Sequence, residues 1–290
     1  MFEVKELRKR FGDKVALDGV SLVVEPGHMF GFVGANGAGK TTTMRIAMGV
    51  LEPDSGEVSW NGRPLTSRDR SRFGYMPEER GLYPKMKIAA QIAYFGELHG
   101  MTAAEAKRSA GQWLEKLGLA ERRNDFVQDL SLGNQQRVQL AVSLVHEPQM
   151  LILDEPFSGL DPLAVDTMAS VLKERSAAGV PVVFSSHQLE LVERLCDTVG
   201  IISAGRIVAT GSVKELRTNA ARRLRVRIVD ATPGWEEALG VPVTTVDDGE
   251  WLVESEDDQK VLQAAVAAGR VVQFSFDEPS LAEIFREASA

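Results

Sequence analysis

"MFGFVGANGAGKTTTMRIAMGVL", residues 29–51, decides the fold. It opens with an apolar run and passes through a glycine-rich middle. Met44, Ala47, Met48 and Leu51 then recur at the spacing of one helix face, so a strand, a loop and a helix follow one another. The loop carries "GANGAGKT" at 34–41, which satisfies the phosphate-loop pattern G-x-x-x-x-G-K-[ST]. Gly34, Gly37 and Gly39 let the backbone turn its N–H groups toward phosphate oxygens, and the helix that follows adds its positive end. Asn36 and Ala38 lie in the same loop, and Thr42 in the first helical turn; all three count as nucleotide contacts. Lys40 is expected to reach the β and γ phosphates, and the Thr41 hydroxyl to coordinate Mg²⁺.

Working outward, "MLILDEP" (150–156) and "VPVVFSSH" (180–187) are continuous apolar runs with helical segments around them. Runs of this kind suit parallel strands buried on both faces, joined by right-handed crossovers. The first ends in two carboxylates that a buried strand would exclude unless they were used. Asp154 suits an outer ligand of Mg²⁺. Glu155, one residue on, suits a general base that polarises water, a role worth about 10²- to 10⁴-fold in rate.

On the N-terminal side, "MFEVKELRKRF" and "GVSLVVEPG" read as strands, and "GEVSWNGRPL" as a hairpin around Asn61-Gly62. Helical periodicity runs from Met86 to about Gly118. After "RIVATGSVKELRTNAARR" the pattern becomes strand "RLRVRIVD", hairpin "VTTVDDGEWLVES" around Asp248-Gly249, helix "DDQKVLQAAVAAG", strand "RVVQFSF" and helix "PSLAEIFREA". A second, small α+β domain is expected there, its acidic "DDG", "ESEDD" and "DEP" clusters being solvated loops.

Composition narrows the partners. The 290 residues allow one or two cores, and 33 Lys+Arg against 41 Asp+Glu leave a net charge of -8, so no global basic field draws nucleic acid. No apolar run approaches the ~18–20 residues of a membrane span, and the N-terminus lacks an apolar signal core. Any membrane role is expected to come through a partner. Cys196 is the single cysteine, in apolar surroundings at helical spacing; it reads as a core residue in a reducing cytosol.

The phosphate loop, "LSLGNQQR" (130–137), "LILDEP", "SGLD" and "SSH" occur in the order and rough spacing of the ATP-binding cassette family, which the chain resembles over about residues 2–220. The resemblance implies an α/β phosphate-loop NTPase cassette over 1–221. It has a mixed sheet core, an antiparallel β subdomain and a helical subdomain at about 82–135, with the accessory α+β domain over 222–290. In that family two cassettes pack head to tail, and each signature segment closes on ATP held by the other copy. Ser131 and Gly133 would meet that γ phosphate with a hydroxyl and a bare N–H. Leu132 and Asn134 depart from the family's glycine and glutamine, and Leu132 is expected to pack on neighbouring helices.

By the same resemblance, Glu78 in "GYMPEERGLY" takes the place of the Q-loop glutamine and would ligate Mg²⁺. His187 is the switch histidine, expected to bond the γ phosphate and orient water beside Glu155. His28, His99 and His146 read as structural. Asp161 lies at the dimer seam, Phe11 stacks on adenine and Val15 flanks it. The implied protein is a cytosolic ATPase using ATP and Mg²⁺. It would pair with a second ATPase subunit, most simply an identical copy, and sit on the cytoplasmic face of the membrane through a separate permease. "SLAEIF" and the Glu78 and "LSLGNQQR" forms resemble exporter-type cassettes of sodium or drug efflux. The alternative is a soluble mechanochemical ATPase acting on ribosomes or DNA. One cassette, one cysteine and no long heptad run weigh against it.

Overall fold

The computed structural model describes residues 1–79, 81–219, 223–247, 249–277 and 279–289. One compact unit comprises Met1–Val213 and the C-terminal residues from Ala288, and the second comprises Lys214–Glu287. The boundary expected at 221/222 lies outside the described residues.

In the first unit, β1 (Phe2–Phe11) and β2 (Lys14–Val24) form an antiparallel hairpin. β2 starts earlier than "GVSLVVEPG" implied. Gly12, at φ 56°, turns the chain tightly enough for Phe11 to pair with Lys14. β3 (Met29–Val33) leads through the phosphate loop to α1 (Lys40–Ala47), and β4 (Ser55–Trp60) folds onto β5 (Arg63–Pro64). Asn61 and Gly62 both take positive φ, the backbone a two-residue primed turn demands. These strands give a four-stranded sheet of order β2-β1-β4-β5.

A short α2 (Ser67–Arg70) precedes β6 (Phe73–Met76). Then come the helical subdomain, α3 (Ile88–Leu98) and α4 (Ala103–Lys116), and α5 (Leu132–Leu144) leading to β7 (Met150–Leu153). α6 (Pro162–Ala177) and α7 (Leu189–Leu195) flank β8 (Val182–Ser186). β9 (Thr198–Ser203) and β10 (Arg206–Gly211) close the unit.

The second sheet runs β10-β9-β3-β8-β7-β6, parallel except for the β9–β10 pair. β3, β7 and β8 are buried at every position, which explains their unbroken apolar runs. Gly31 sits where α7 presses on β3: a Cβ there would lie 2.5 Å from Val192 and 2.7 Å from the Cys196 sulfur. Burial pushes the Cys196 thiol well above its ordinary range, so it packs rather than reacts. The phosphate loop, Glu78, Asp154, Glu155 and His187 all follow the carboxyl ends of these parallel strands, where an open α/β sheet leaves its crevice.

The second unit begins at Lys214 within α8 (Val213–Asn219) and forms a sheet β12-β13-β11-β14 from β11 (Arg223–Val229), β12 (Val243–Asp247), β13 (Glu250–Glu254) and β14 (Arg270–Asp277). α9 (Asp258–Ala268) contributes Val261 and Ala265 to a core with Leu224, Val226 and Trp235, and α10 (Leu281–Ser289) ends the chain. Its acidic clusters are not all solvated. Asp257 caps α9 through the Lys260 N–H, and the side chain of Asp277, only 6% exposed, takes an ion pair from Arg225 at 2.8 Å. Arg225 also pairs with Glu250 across the sheet, and these carboxylates hold its guanidinium above the usual range. Asp248 and the glutamate of "DEP" lie outside the described residues.

Candidate active site

A cleft of about 410 Å³ opens at the carboxyl edge of β3, bounded by Phe11 and Lys14 on one side and by Glu78, Asp154 and Glu155 on the other. Its floor is the phosphate loop. Gly37 takes φ 80° with nothing within 4 Å of a built Cβ, so its conformation requires glycine while its surroundings stay open for a ligand. Gly39, at φ 119°, is tighter: a Cβ there would meet Leu17 at 2.7 Å and the Ala16 carbonyl at 2.9 Å. Gly39 is also the N-cap of α1, without a side-chain cap and without an acidic residue in the first turn. Neither a capping side chain nor a carboxylate competes with an anion for the helix's first N–H groups.

Lys40 is 6% exposed and folds back on the loop, donating to the Gly34 carbonyl at 2.6 Å and the Ala35 carbonyl at 3.3 Å. Its ammonium is 3.9 Å from Glu155 Oε1. Thr41 and Thr42 line the same cleft, and Thr43, buried behind them, ties its hydroxyl to the Gly39 carbonyl.

Opposite stand the two carboxylates. Asp154 is buried, and its N–H donates to the Met76 carbonyl at 2.7 Å. Glu155 has φ 50°, a left-handed conformation that costs a non-glycine residue about 1–3 kcal/mol and persists only where neighbours enforce it. Ser185 on β8 is one such neighbour. Its hydroxyl accepts from the Glu155 N–H at 2.7 Å and donates to Asp154 Oδ1 at 2.6 Å. His187 Nδ1 lies 2.9 Å from Glu155 Oε2. That leaves Asp154 Oδ2 and Glu155 Oε1 buried with no hydrogen-bond partner. Burial, followed by the charge of Asp154, pushes the Tyr75 phenol up.

Orphaned hard oxygens of this kind fit Mg²⁺, with the Thr41 hydroxyl and Glu78 on the same cleft. Among the described residues no group of three or more His, Cys, Asp or Glu forms a metal cluster, and Mg²⁺ characteristically takes one or two carboxylates plus substrate phosphates.

Phe11 is half exposed at the cleft edge, not a core residue, with the Lys9 ammonium 5.8 Å from its ring centroid. Val15 is exposed in the same hairpin, opposite Arg10. The remaining sequence-predicted contacts stand on two other helix ends. Ser131 caps α5, accepting from the Asn134 N–H at 3.4 Å, and Asp161 caps α6 through the Ala164 N–H at 2.8 Å. The Asn134 side chain is engaged by Arg137. Leu132 does not pack on neighbouring helices: it is 59% exposed, because it begins the first turn of α5 on the side away from the core. A Cβ on Gly133 would meet only Leu160 at 3.4 Å, an ordinary contact, so nothing within this chain requires glycine there.

Lys14 and Ser185 were missed in the sequence. Lys14 looked like a hairpin residue. Ser185 stood inside an apolar run, where the signal was a buried hydroxyl one strand away from two carboxylates.

Residues 17–158 match the family described as ABC transporter, and residues 211–289 match the C-terminal domain described as ATP-binding protein DrrA1-3-like. An uncharacterized ABC transporter ATP-binding protein, YhaQ of Bacillus subtilis, is 38% identical over 99% of this chain and 98% of its own length. The linearmycin resistance ATP-binding protein LnrL of the same organism is 34% identical over 74% of this chain and 70% of its own. A solved ATP-binding subunit of an ABC transporter superposes with TM-score 0.69 at 33% identity, covering 75% of this chain and 92% of that one.

Proposed function

This chain belongs to the family of ABC transporter ATP-binding proteins, and on that premise we propose that two copies close around two Mg-ATP and power a separate membrane permease in the export direction. The observation that carries the reading is the Lys40–Glu155 pair on a cleft of about 410 Å³, with His187 bonded to Glu155 from the end of β8.

Each part has a task in phosphoryl transfer, where positioning and charge stabilisation do most of the work. The phosphate loop and α1 hold the triphosphate, and Lys40 exchanges two backbone carbonyls for β and γ oxygens. Glu155 accepts the proton of the attacking water, while His187 braces the Glu155 carboxylate. Asp154, Thr41 and Glu78 would hold Mg²⁺, which supplies charge neutralisation at the β and γ phosphates. Phe11 offers its exposed face to the base.

A second copy is supported by the end of α5. Ser131 and Gly133 stand at an accessible helix N-terminus whose glycine has no use inside the chain. The permease is supported by the entrance to the helical subdomain. Tyr83, 51% exposed, is clamped by Gln91, which donates to its carbonyl at 3.3 Å and accepts from its N–H at 2.9 Å. Tyr83 stacks on Phe95 and meets Tyr94 edge to face, giving an aromatic surface of the kind enriched at interfaces. No helix among the described residues is long and apolar enough to cross a membrane. Export is supported by relatives named for Nod factor export and for linearmycin resistance.

Affinity purification of the Glu155→Gln protein with Mg-ATP from detergent-solubilised cells tests this. A polytopic membrane protein retained in near-equal amount is expected; ribosomes or DNA retained in its place would overturn the transporter reading.

A further inference from the structure

Two buried glutamines, Gln136 and Gln139, project from α5 three residues apart, on one helix face. A buried carboxamide is costly unless its hydrogen bonds are made. Gln136 makes its two with backbone: Nε2 donates to the Glu155 carbonyl and to the Pro156 carbonyl, each at 3.1 Å. Gln139 Nε2 donates to the Pro77 carbonyl at 2.6 Å, one residue before Glu78.

We propose that Gln136 is a positioning residue for Glu155, coupling the base of one ATP site to the helix end that contacts the other. The argument starts from the backbone. Glu155 occupies a left-handed conformation held from outside, by Ser185 on its N–H and by Gln136 on its own and the next carbonyl. Ser185 is fixed in β8. Gln136 is not fixed in the sheet: it rides on α5, 5 residues after Ser131 along one rigid helix. A shift of α5, when its N-terminus engages a γ phosphate held by the second copy, therefore moves the two carbonyls that set the Glu155 side chain. The same shift reaches Glu78 through Gln139 and Pro77. The inference rests on the reading of Glu155 as base and of α5 as the trans contact.

The test is Gln136→Met in the full chain, which keeps the side chain's length and removes both donors. Expected is a fall in kcat of about tenfold to a hundredfold, the scale of a slight misplacement at a reacting centre, with KM for ATP and nucleotide affinity within about twofold of the parent. Gln136→Glu gives an independent readout and serves if the Met variant fails to fold. Its carboxyl donates to one carbonyl when protonated and repels both when ionised, so its kcat relative to the parent should fall between about pH 6 and pH 8. A folded Gln136→Met protein with parental kcat, or one losing kcat and ATP affinity in parallel with thermal stability, overturns the proposal. If Glu155→Gln abolishes turnover while Gln136→Met does not, the base assignment stands and only the coupling falls. If Glu155→Gln turns over at the parental rate, both fall.

Discussion

α1 and α5 are two helix N-termini that the proposed function assigns to the same chemical group, and they are built differently. α1 begins at a buried glycine that packing requires, with no side-chain cap and with Lys40 folded into its own loop. α5 begins at an exposed turn, with a hydroxyl cap and a glycine that its own chain leaves unconstrained. The first is complete within one molecule. The second has the chemistry of a phosphate site and none of the enclosure, the form expected of half a site whose other half is supplied by a partner.

The sharpest way to break this contrast is Lys40→Ala. It should reduce turnover by roughly 10²- to 10³-fold, the range seen when a pre-organised electrostatic donor is lost, and weaken ATP binding to the isolated chain. Equilibrium binding with a fluorescent ATP analogue checks the second half. Gly133→Asp comes next. Placing a carboxylate against a γ phosphate should lower turnover by roughly 10²-fold, about 3 kcal/mol in barrier, and abolish ATP-dependent dimerisation. ATP binding by the single chain should be unchanged; an equal loss there, in the same titration, would mean that α5 serves its own cleft.

How far these features were legible depended on how local they are. The phosphate loop, the strand that leads into Asp154 and Glu155, and the strand that leads into His187 are each written in fewer than ten consecutive residues. So are the elements of the C-terminal unit, which alternation and turn residues mark one by one. What sequence reasoning could not reach is pairing at a distance. Ser185 and Gln136 meet Glu155 across 30 and 19 residues, and neither stands out by residue type. Leu132 went astray for a related reason: an apolar residue in a helical pattern was assigned to the core, but it occupies a first turn that faces outward.

A smaller effect sharpens the comparison at the metal. Glu78→Gln removes one charge beside the triphosphate and should shift the Mg²⁺ concentration for half-maximal turnover by roughly threefold to tenfold, with ATP affinity little changed. An unchanged Mg²⁺ titration would place Glu78 outside the ligand set.

The smallest concerns the far end of α5. His146 stacks on His99 with ring centroids 3.7 Å apart, and burial together with the charge of His99 lowers its pKa from 6.5 to about 4. A depressed histidine contributes stability that is complete above the unfolded value of 6.5 and is lost as pH falls toward 4, because the unfolded chain takes up the proton first. Unfolding free energies from denaturant titrations at pH 7.5 and pH 5 should therefore differ by on the order of 1–2 kcal/mol more in the parent than in His146→Phe.

The left-handed backbone at Glu155 carries a consequence for how this chain can change. A glycine there would relieve the φ 50° conformation and remove a buried carboxylate oxygen that has no hydrogen bond and only the Lys40 ammonium at 3.9 Å, so on the base assignment proposed above an inert protein lies one substitution away and is expected to be the sturdier of the two. Selection for robustness alone would erode this residue, and only selection for turnover keeps it. Thermal stability and competence are set against each other at this position, which makes a screen for heat-resistant variants a screen for dead ones wherever it reaches residue 155.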